Sequence, residues 1–392
     1  MSWEAHVAVA EPQPLPGRRL LERVSAALGG IRFALLVYLS TRLLLTCVGL
    51  ADAAITHHSL GSIFGHWDGV WYSRVAVDGY PAHPVHHPST LGFFPLFPMA
   101  IWAVRNSLDV SPVLAGVLIS SAGGLVATVL VQRLATGWWG EQGGRRATLL
   151  FCLFPGSVVF SMAYSEGLLI PLAAGCIVAL ERRRWLLAGI LAGLATATGA
   201  DAAALVLVCA ISALFAIRQR RNWHSLIAPV LSTTGIAAFA AFLWAWTGTP
   251  FATLVAQRDG WHERLDPVAM VHQGELFASQ VARLHFPHPT LDLIPLAALI
   301  GAVVLIAGIA LLLCPPRLVS LEALIWTLAI GALALFSEHV GPNPRILITA
   351  FPAVLVFAHR LKGRVFAWLL GINGVLLAVM SALTFTGHSL TP

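Results

Sequence analysis

The stretch His66–Pro81, HWDGVWYSRVAVDGYP, sets Asp68 between Trp67 and Trp71 and follows with Arg74. A carboxylate close to lipid is costly unless it is paired or used. At helical spacing Trp67, Val70, Trp71 and Val75 share one face, and Gly79-Tyr80-Pro81 ends the run. The pattern predicts an amphipathic helix in the headgroup layer, with tryptophans at the interface and Asp68 beside that face. Two roles suit Asp68. It can cap the helix N-terminus, or it can serve as a general base acting at the water–lipid boundary on a lipid-borne substrate. His66 and Trp67, immediately before it, are candidate substrate contacts.

Other polar residues stand at the edges of apolar runs. Glu166, in MAYSEGLL, begins one; it is either a solvated charge or part of a site. Arg345, in HVGPNPRILITAFP, opens another, and a guanidinium fork there can clamp a phosphate. Pro342 and Pro344 stiffen its approach and leave the first backbone N–H groups of the run free to face an anion. Snorkelling of Arg345 to lipid headgroups is the plain alternative. Arg258 and His262, flanking Trp261 in AQRDGWHERL, are further candidates for substrate contact. Arg42 lies within an apolar run and needs a partner or a wet cavity, so a structural pair and a substrate contact both stay open. His57, His58 and the histidines of PAHPVHHP (81–88) could bind a metal, but the prolines make an irregular loop rather than a preformed cage. The five cysteines make no CxxC pair. There is no HExxH, Gly-rich phosphate loop or G-x-S-x-G. Neither a metal nor a cofactor is expected.

The elements that must hold these residues are set by composition. Of 392 residues 57% are hydrophobic and only 11% charged, with a mean hydropathy of +0.79; soluble domains carry about 25% charged residues. Apolar runs long enough to cross a bilayer recur, and the alternating ten-residue strands of a membrane β-barrel are absent. The fold class expected is all-α, a polytopic integral membrane protein of about eleven spans. These fall near 31–53, 112–134, 147–164, 167–181, 185–200, 202–217, 225–246, 291–314, 318–336, 345–359 and 365–385. A twelfth run, 91–104, contains Pro95 and Pro98. If it does not cross, Arg18, Arg19, Arg23, Arg32, Arg133, Arg145, Arg146, Arg182, Arg183, Arg184, Arg218, Arg220, Arg221, Arg317, Arg360, Lys362 and Arg364 share one face. Only Arg74, Arg105, Arg258, Arg264, Arg283 and Arg345 then lie on the other. If it crosses, the basic clusters scatter, so the positive-inside rule makes 91–107 an interfacial or re-entrant helix. The resulting organisation is a cytoplasmic segment 1–30, one transmembrane domain 31–385 and a short tail 386–392. Outer loops lie at about 54–111, 247–290 and 337–344 and carry most of the non-Arg polar residues. The pI of about 9.5 reflects this orientation rather than a nucleic-acid partner. No cleavable signal peptide is visible.

Together the motifs resemble a family. HWDGVWYSRVAVDGY, then GFFPLFP, FCLFPGSVVFSMAYSEGLL, GLATATGADAAALV, AQRDGW and PNPRILITAFP are similar, over about residues 31–360, to the PIG-V type of GPI mannosyltransferase II and its actinobacterial relatives. These resemble the wider GT-C glycosyltransferases, multispanning enzymes that use polyprenyl-phosphate sugars on the outer face. One departure stands out. Relatives commonly carry GLATATR, then Pro or Ser, then Asn-Gly; here Gly199 replaces the Arg, and Asp201-Ala202 stands where Asn-Gly would. A contact made there in relatives is therefore left open.

The resemblance implies a GT-C-like fold in a bacterial plasma membrane. It implies transfer of mannose from polyprenyl-phosphate-mannose to a hydroxyl acceptor, a glycolipid or lipoglycan, with inversion. Asp68 in the first outer loop would be the base, Arg345 would neutralise the leaving phosphate, and no nucleotide would enter. The partners implied are the donor, the acceptor and the bilayer. Two other readings remain: a transporter or flippase of a lipid-linked sugar, which would show paired repeats and mid-membrane charges, and an inactive family member.

Overall fold

The structure, a computed structural model, describes residues 16–282, 292–316 and 318–386, with side chains from residue 29 onward. The segment 1–15, Arg283, Arg317, the tail from 387 and the side chains of Arg18, Arg19 and Arg23 lie outside the described residues. Everything described is helical apart from loops and one isolated antiparallel bridge, Leu265 to Ser337. The chain is an integral membrane protein: six helices are long and apolar enough to cross a bilayer, namely Gly29–Thr56, Pro112–Leu153, Ala200–Arg220, Trp223–Thr247, Ile294–Leu313 and Gly363–Thr386. Trp185–Thr196, Leu321–Phe336 and Phe351–Arg360 are apolar but shorter.

Several expected spans are interrupted, each for a local reason. Pro112–Leu153 is not a straight rod. Gly140 has φ 74° and ψ 177°, a conformation that a side chain disfavours, and the chain folds back there. Thr128 Oγ1 consequently lies 3.7 Å from Cys152 Sγ, whereas 24 residues of straight helix would separate them by about 36 Å. The expected run 147–164 stays α-helical only to Leu153. It continues as the 3₁₀ segment Pro155–Ser161 and then turns by 110° into the helix Glu166–Glu181. Pro155 supplies no N–H for an α-turn. Gly156 lets the backbone pass Pro344, where a Cβ would stand 2.0 Å from the Pro344 carbonyl oxygen. The run 345–359 divides at Ala350 into Pro344–Thr349 and Phe351–Arg360, with Pro352 just after the break.

The helix expected near 66–81 spans Asp68–Asp78 and is stopped by Gly79, with φ 76°. Toward the protein it turns a side that only partly overlaps the apolar face expected to meet the headgroups. Gly69, Tyr72, Val75 and Ala76 face inward, while Val70 is exposed. Trp67 precedes the helix at φ 56° and lends its indole N–H to the Thr384 carbonyl instead of joining the apolar face. The next helix, Leu96–Leu108, has 13 residues, about 20 Å of length against a hydrocarbon core of about 30 Å.

The loops meet one another. Gln257 Nε2 donates to the Gly92 carbonyl at 2.9 Å, and His86 Nδ1 lies 2.8 Å from Asp259 Oδ2. Trp261 packs edge-on against Trp71, with ring centroids 4.9 Å apart. Glu338 N–H donates to the Arg264 carbonyl, and Val340 N–H to Glu263 Oε2. The described parts of the three loops thus form one assembly over the helix Asp68–Asp78.

Candidate active site

Asp68 is the first residue of its helix, and its carboxylate is held by the guanidinium of Arg345 through Oδ2 and Nη1. The two residues are 277 positions apart. Their pairing replaces the capping role that the sequence leaves open, because the N-cap position belongs to Trp67. Glu166 approaches the same guanidinium from the other side, its Oε1 3.4 Å from Arg345 Nε. Two carboxylates thus share one cation. Side-chain exposure is 16% for Arg345, 29% for Asp68 and 8% for Glu166, so the base candidate is the most accessible of the three.

The supports of this trio can be traced to sequence. Arg345 follows Asn343 and Pro344, a cap residue and a proline at the first helical position. Asn343 Oδ1 accepts the Ile346 N–H at 3.0 Å. That bond corrects the expectation of free N–H groups at this helix start, since one of them is already satisfied by the cap. Glu166 opens the helix after the 110° turn, where its negative charge suits the helix N-terminus. Just before it, Tyr164 Oη accepts the Asp68 N–H at 3.2 Å, and the Arg345 guanidinium lies 5.5 Å from the Tyr164 ring centroid. Tyr72 Oη donates to Ser165 Oγ at 2.7 Å. The tripeptide Tyr164-Ser165-Glu166 therefore joins the Asp68 helix to Arg345, although only Glu166 is singled out by the sequence. The departing GADA segment forms the short 3₁₀ turn Ala200–Ala203. Around Gly199 an added Cβ would meet nothing within 4 Å.

Arg345 Nε is buried and makes no hydrogen bond, its neighbour being Glu166 Oε1 in the ion pair. Glu166 Oε2 is buried without a hydrogen-bond partner, which is costly unless something uses it. No group of three or more His, Cys, Asp or Glu able to hold a metal ion occurs among the described residues.

The remaining candidates are placed as follows. Trp67 is anchored on Thr384, and His66 stacks edge-on against Trp67 at 5.4 Å between centroids. Arg42 is buried and spends its N–H groups on the Ser157 carbonyl, Ser157 Oγ and Ser161 Oγ, at 2.7 to 3.1 Å. It clamps the 3₁₀ segment, which is the structural alternative for this residue. Arg258 pairs with its neighbour Asp259. Arg258, and after it His86, hold the Asp259 carboxyl well below the usual carboxylate range. His262 is exposed, at φ 56°. Neither Arg258 nor His262 forms a hydrogen bond or ion pair with Asp68, Glu166 or Arg345. Burial pushes the Glu263 carboxyl up, against the Ser337 hydroxyl and Val340 N–H that favour its charged form.

Fold and site together define a polytopic helical membrane protein with a carboxylate–guanidinium cluster under its loop assembly. The model of the family described as Mannosyltransferase (PIG-V) matches residues 37–247, or 211 of 392 residues, and the chain belongs to that family. Asp68 and Glu166 lie inside the matched region and Arg345 outside it. Among solved structures the chain is similar to the oligosaccharyltransferase of Archaeoglobus fulgidus in its apo form. That likeness has a TM-score of 0.54 at 13% identity and covers 92% of this chain and 56% of that one. It is also similar to ArnT from Cupriavidus metallidurans bound to undecaprenyl phosphate. There the TM-score is 0.49 at 13% identity, over 88% of this chain and 69% of that one. The chain thus spans just over half the length of the archaeal protein. No curated protein matches.

Proposed function

We propose that the protein is a membrane mannosyltransferase that moves mannose from polyprenyl-phosphate-mannose to a hydroxyl acceptor, a glycolipid or lipoglycan, on the extracytoplasmic face of a bacterial plasma membrane. The observation that carries this reading is the contact of Asp68 with Arg345 across 277 residues, with Glu166 on the far side of the same guanidinium.

In this reading Asp68 takes the proton of the acceptor hydroxyl as its oxygen attacks the anomeric carbon. The bond from that carbon to the phosphate oxygen breaks, and its electron pair leaves on the lipid phosphate. Arg345 offsets the charge that develops there, as a fixed cation does best in a site shielded from water. A single displacement inverts a β-linked donor to an α-mannoside. Glu166 Oε2, buried and unpartnered, is available to accept a sugar hydroxyl. An apolar groove of about 440 Å³ supports a lipid-linked donor. Pro344, Phe154, Leu347, Phe357 and Leu383 are among its lining residues, and Pro344 is the neighbour of Arg345.

The topology that goes with it has about eleven spans, a single domain over 31–385, a cytoplasmic N-terminal segment and 91–107 lying at the interface. The packing of the three loops over the site and the 13-residue length of Leu96–Leu108 agree with that arrangement. The test is transfer of radiolabelled mannose in membranes carrying the protein. Label should move from polyprenyl-phosphate-mannose into an extractable glycan. Label that crosses the bilayer still attached to the polyprenyl phosphate would mean a flippase instead.

A further inference from the structure

We infer that Tyr164 is the positioning residue that sets Asp68 and Arg345 against each other. This rests on the reading of Asp68 as the base. Asp68 is the first residue of its helix, so its N–H has no partner within the helix. The preceding residue, Trp67, provides no side-chain cap and is turned away at φ 56°. Tyr164 Oη takes the orphaned N–H, capping the helix from a different part of the chain. The same side chain presents its ring to the Arg345 guanidinium at 5.5 Å, a cation–π distance. One residue therefore fixes the backbone of the base with its oxygen and the cation with its ring.

Tyr164 is itself braced. It is 1% exposed. Ser120 Oγ donates to the Tyr164 carbonyl at 2.8 Å and accepts the Tyr164 N–H at 3.2 Å. Ala163 N–H is bonded to the Phe64 carbonyl at 3.1 Å. A buried hydroxyl is expensive where phenylalanine would fill the same volume, unless its oxygen is used. Here the oxygen accepts the N–H of the base.

The test is Tyr164→Phe, alone and combined with Asp68→Asn, in purified full-length protein. The phenylalanine keeps packing and ring and removes only the oxygen. A small displacement of a reacting group costs about tenfold to a hundredfold in rate. Tyr164→Phe should therefore lower kcat by about tenfold or more, with donor and acceptor KM and the melting temperature nearly unchanged. In the Asp68→Asn background it should have no further effect, because a residue that acts only through Asp68 has nothing left to place. Wild-type kcat in Tyr164→Phe overturns the inference, as does the same loss in both backgrounds. Should Tyr164→Phe fail to accumulate, Ser120→Ala loosens the same side chain and should give a smaller loss in kcat, again erased by Asp68→Asn; a loss that persists there overturns the inference. An inactive Asp68→Asn with a fully active Tyr164→Phe removes Tyr164 alone. A fully active Asp68→Asn removes the base reading and this inference with it.

Discussion

At the scale of single residues, Arg345 decides between phosphate recognition and membrane anchoring. Its guanidinium is already shared by Asp68 and Glu166, a geometry that needs several directed N–H groups and that a lysine cannot copy. Arg345→Lys should raise the donor KM even though charge is kept, and Arg345→Ala should raise it further and lower kcat. Steady-state rates with varied donor at saturating acceptor check this; a silent Arg345→Lys would return Arg345 to headgroup anchoring. Asp68, Glu166 and Arg345 are all legible in the sequence because charges are rare in an apolar chain and each such residue draws attention. Their mutual contact is not legible, since no spacing rule links positions 277 apart. Tyr164 escapes for the opposite reason. A tyrosine in an apolar run reads as packing, and only the fold shows where its oxygen points. Arg42 is conspicuous for the same reason as Arg345, yet its partners prove to be the serines of a 3₁₀ turn.

At the scale of elements, apolar runs reveal which segments are helical, and they conceal where those segments break. The fold-back at Gly140 falls between two expected runs, so the division of 112–164 is legible in outline. The 3₁₀ stretch at Pro155 and the break at Ala350 are not, because hydropathy does not distinguish a straight helix from an interrupted one. These breaks carry the site. Glu166 is delivered by the 110° turn, and Arg345 by the short helix that passes Gly156. A Cβ at Gly156 would stand 2.0 Å from the Pro344 carbonyl oxygen, so backbone must move. Gly156→Ala should therefore displace Arg345 and cut the transfer rate by about tenfold or more, chiefly at low donor. Donor titration of the variant measures it, and an unchanged curve would show that this passage does not set the position of Arg345. The Asp68–Asp78 helix is a related case. Periodicity assigns Trp67 to its apolar face, but Trp67 precedes the helix and reaches Thr384.

At the scale of the whole molecule, charge asymmetry is the legible property. The arginines sort to one side only if 91–107 does not cross, and among the described residues parts of 54–111, 247–282 and 337–344 touch one another. A cysteine at the Gly140 fold-back reports this topology. Gln142 is exposed there, whereas a side chain at Gly143 would strike Trp139. In a background lacking the five native cysteines, Gln142→Cys should resist an impermeant thiol reagent in intact cells and react after permeabilisation. Ready labelling in intact cells, with the N-terminus shown inside, would mean that 91–107 crosses as a twelfth span.

The central claim is that Asp68 takes the acceptor proton, and turnover of purified Asp68→Asn at saturating donor and acceptor tests it most directly. Asparagine keeps the shape of the side chain and cannot serve as the base, while saturating donor sets aside any change in donor binding. General-base catalysis contributes about a hundredfold to ten-thousandfold, so the account predicts a fall of at least about a hundredfold with unaltered expression and melting temperature. Turnover close to that of the unaltered protein would contradict it.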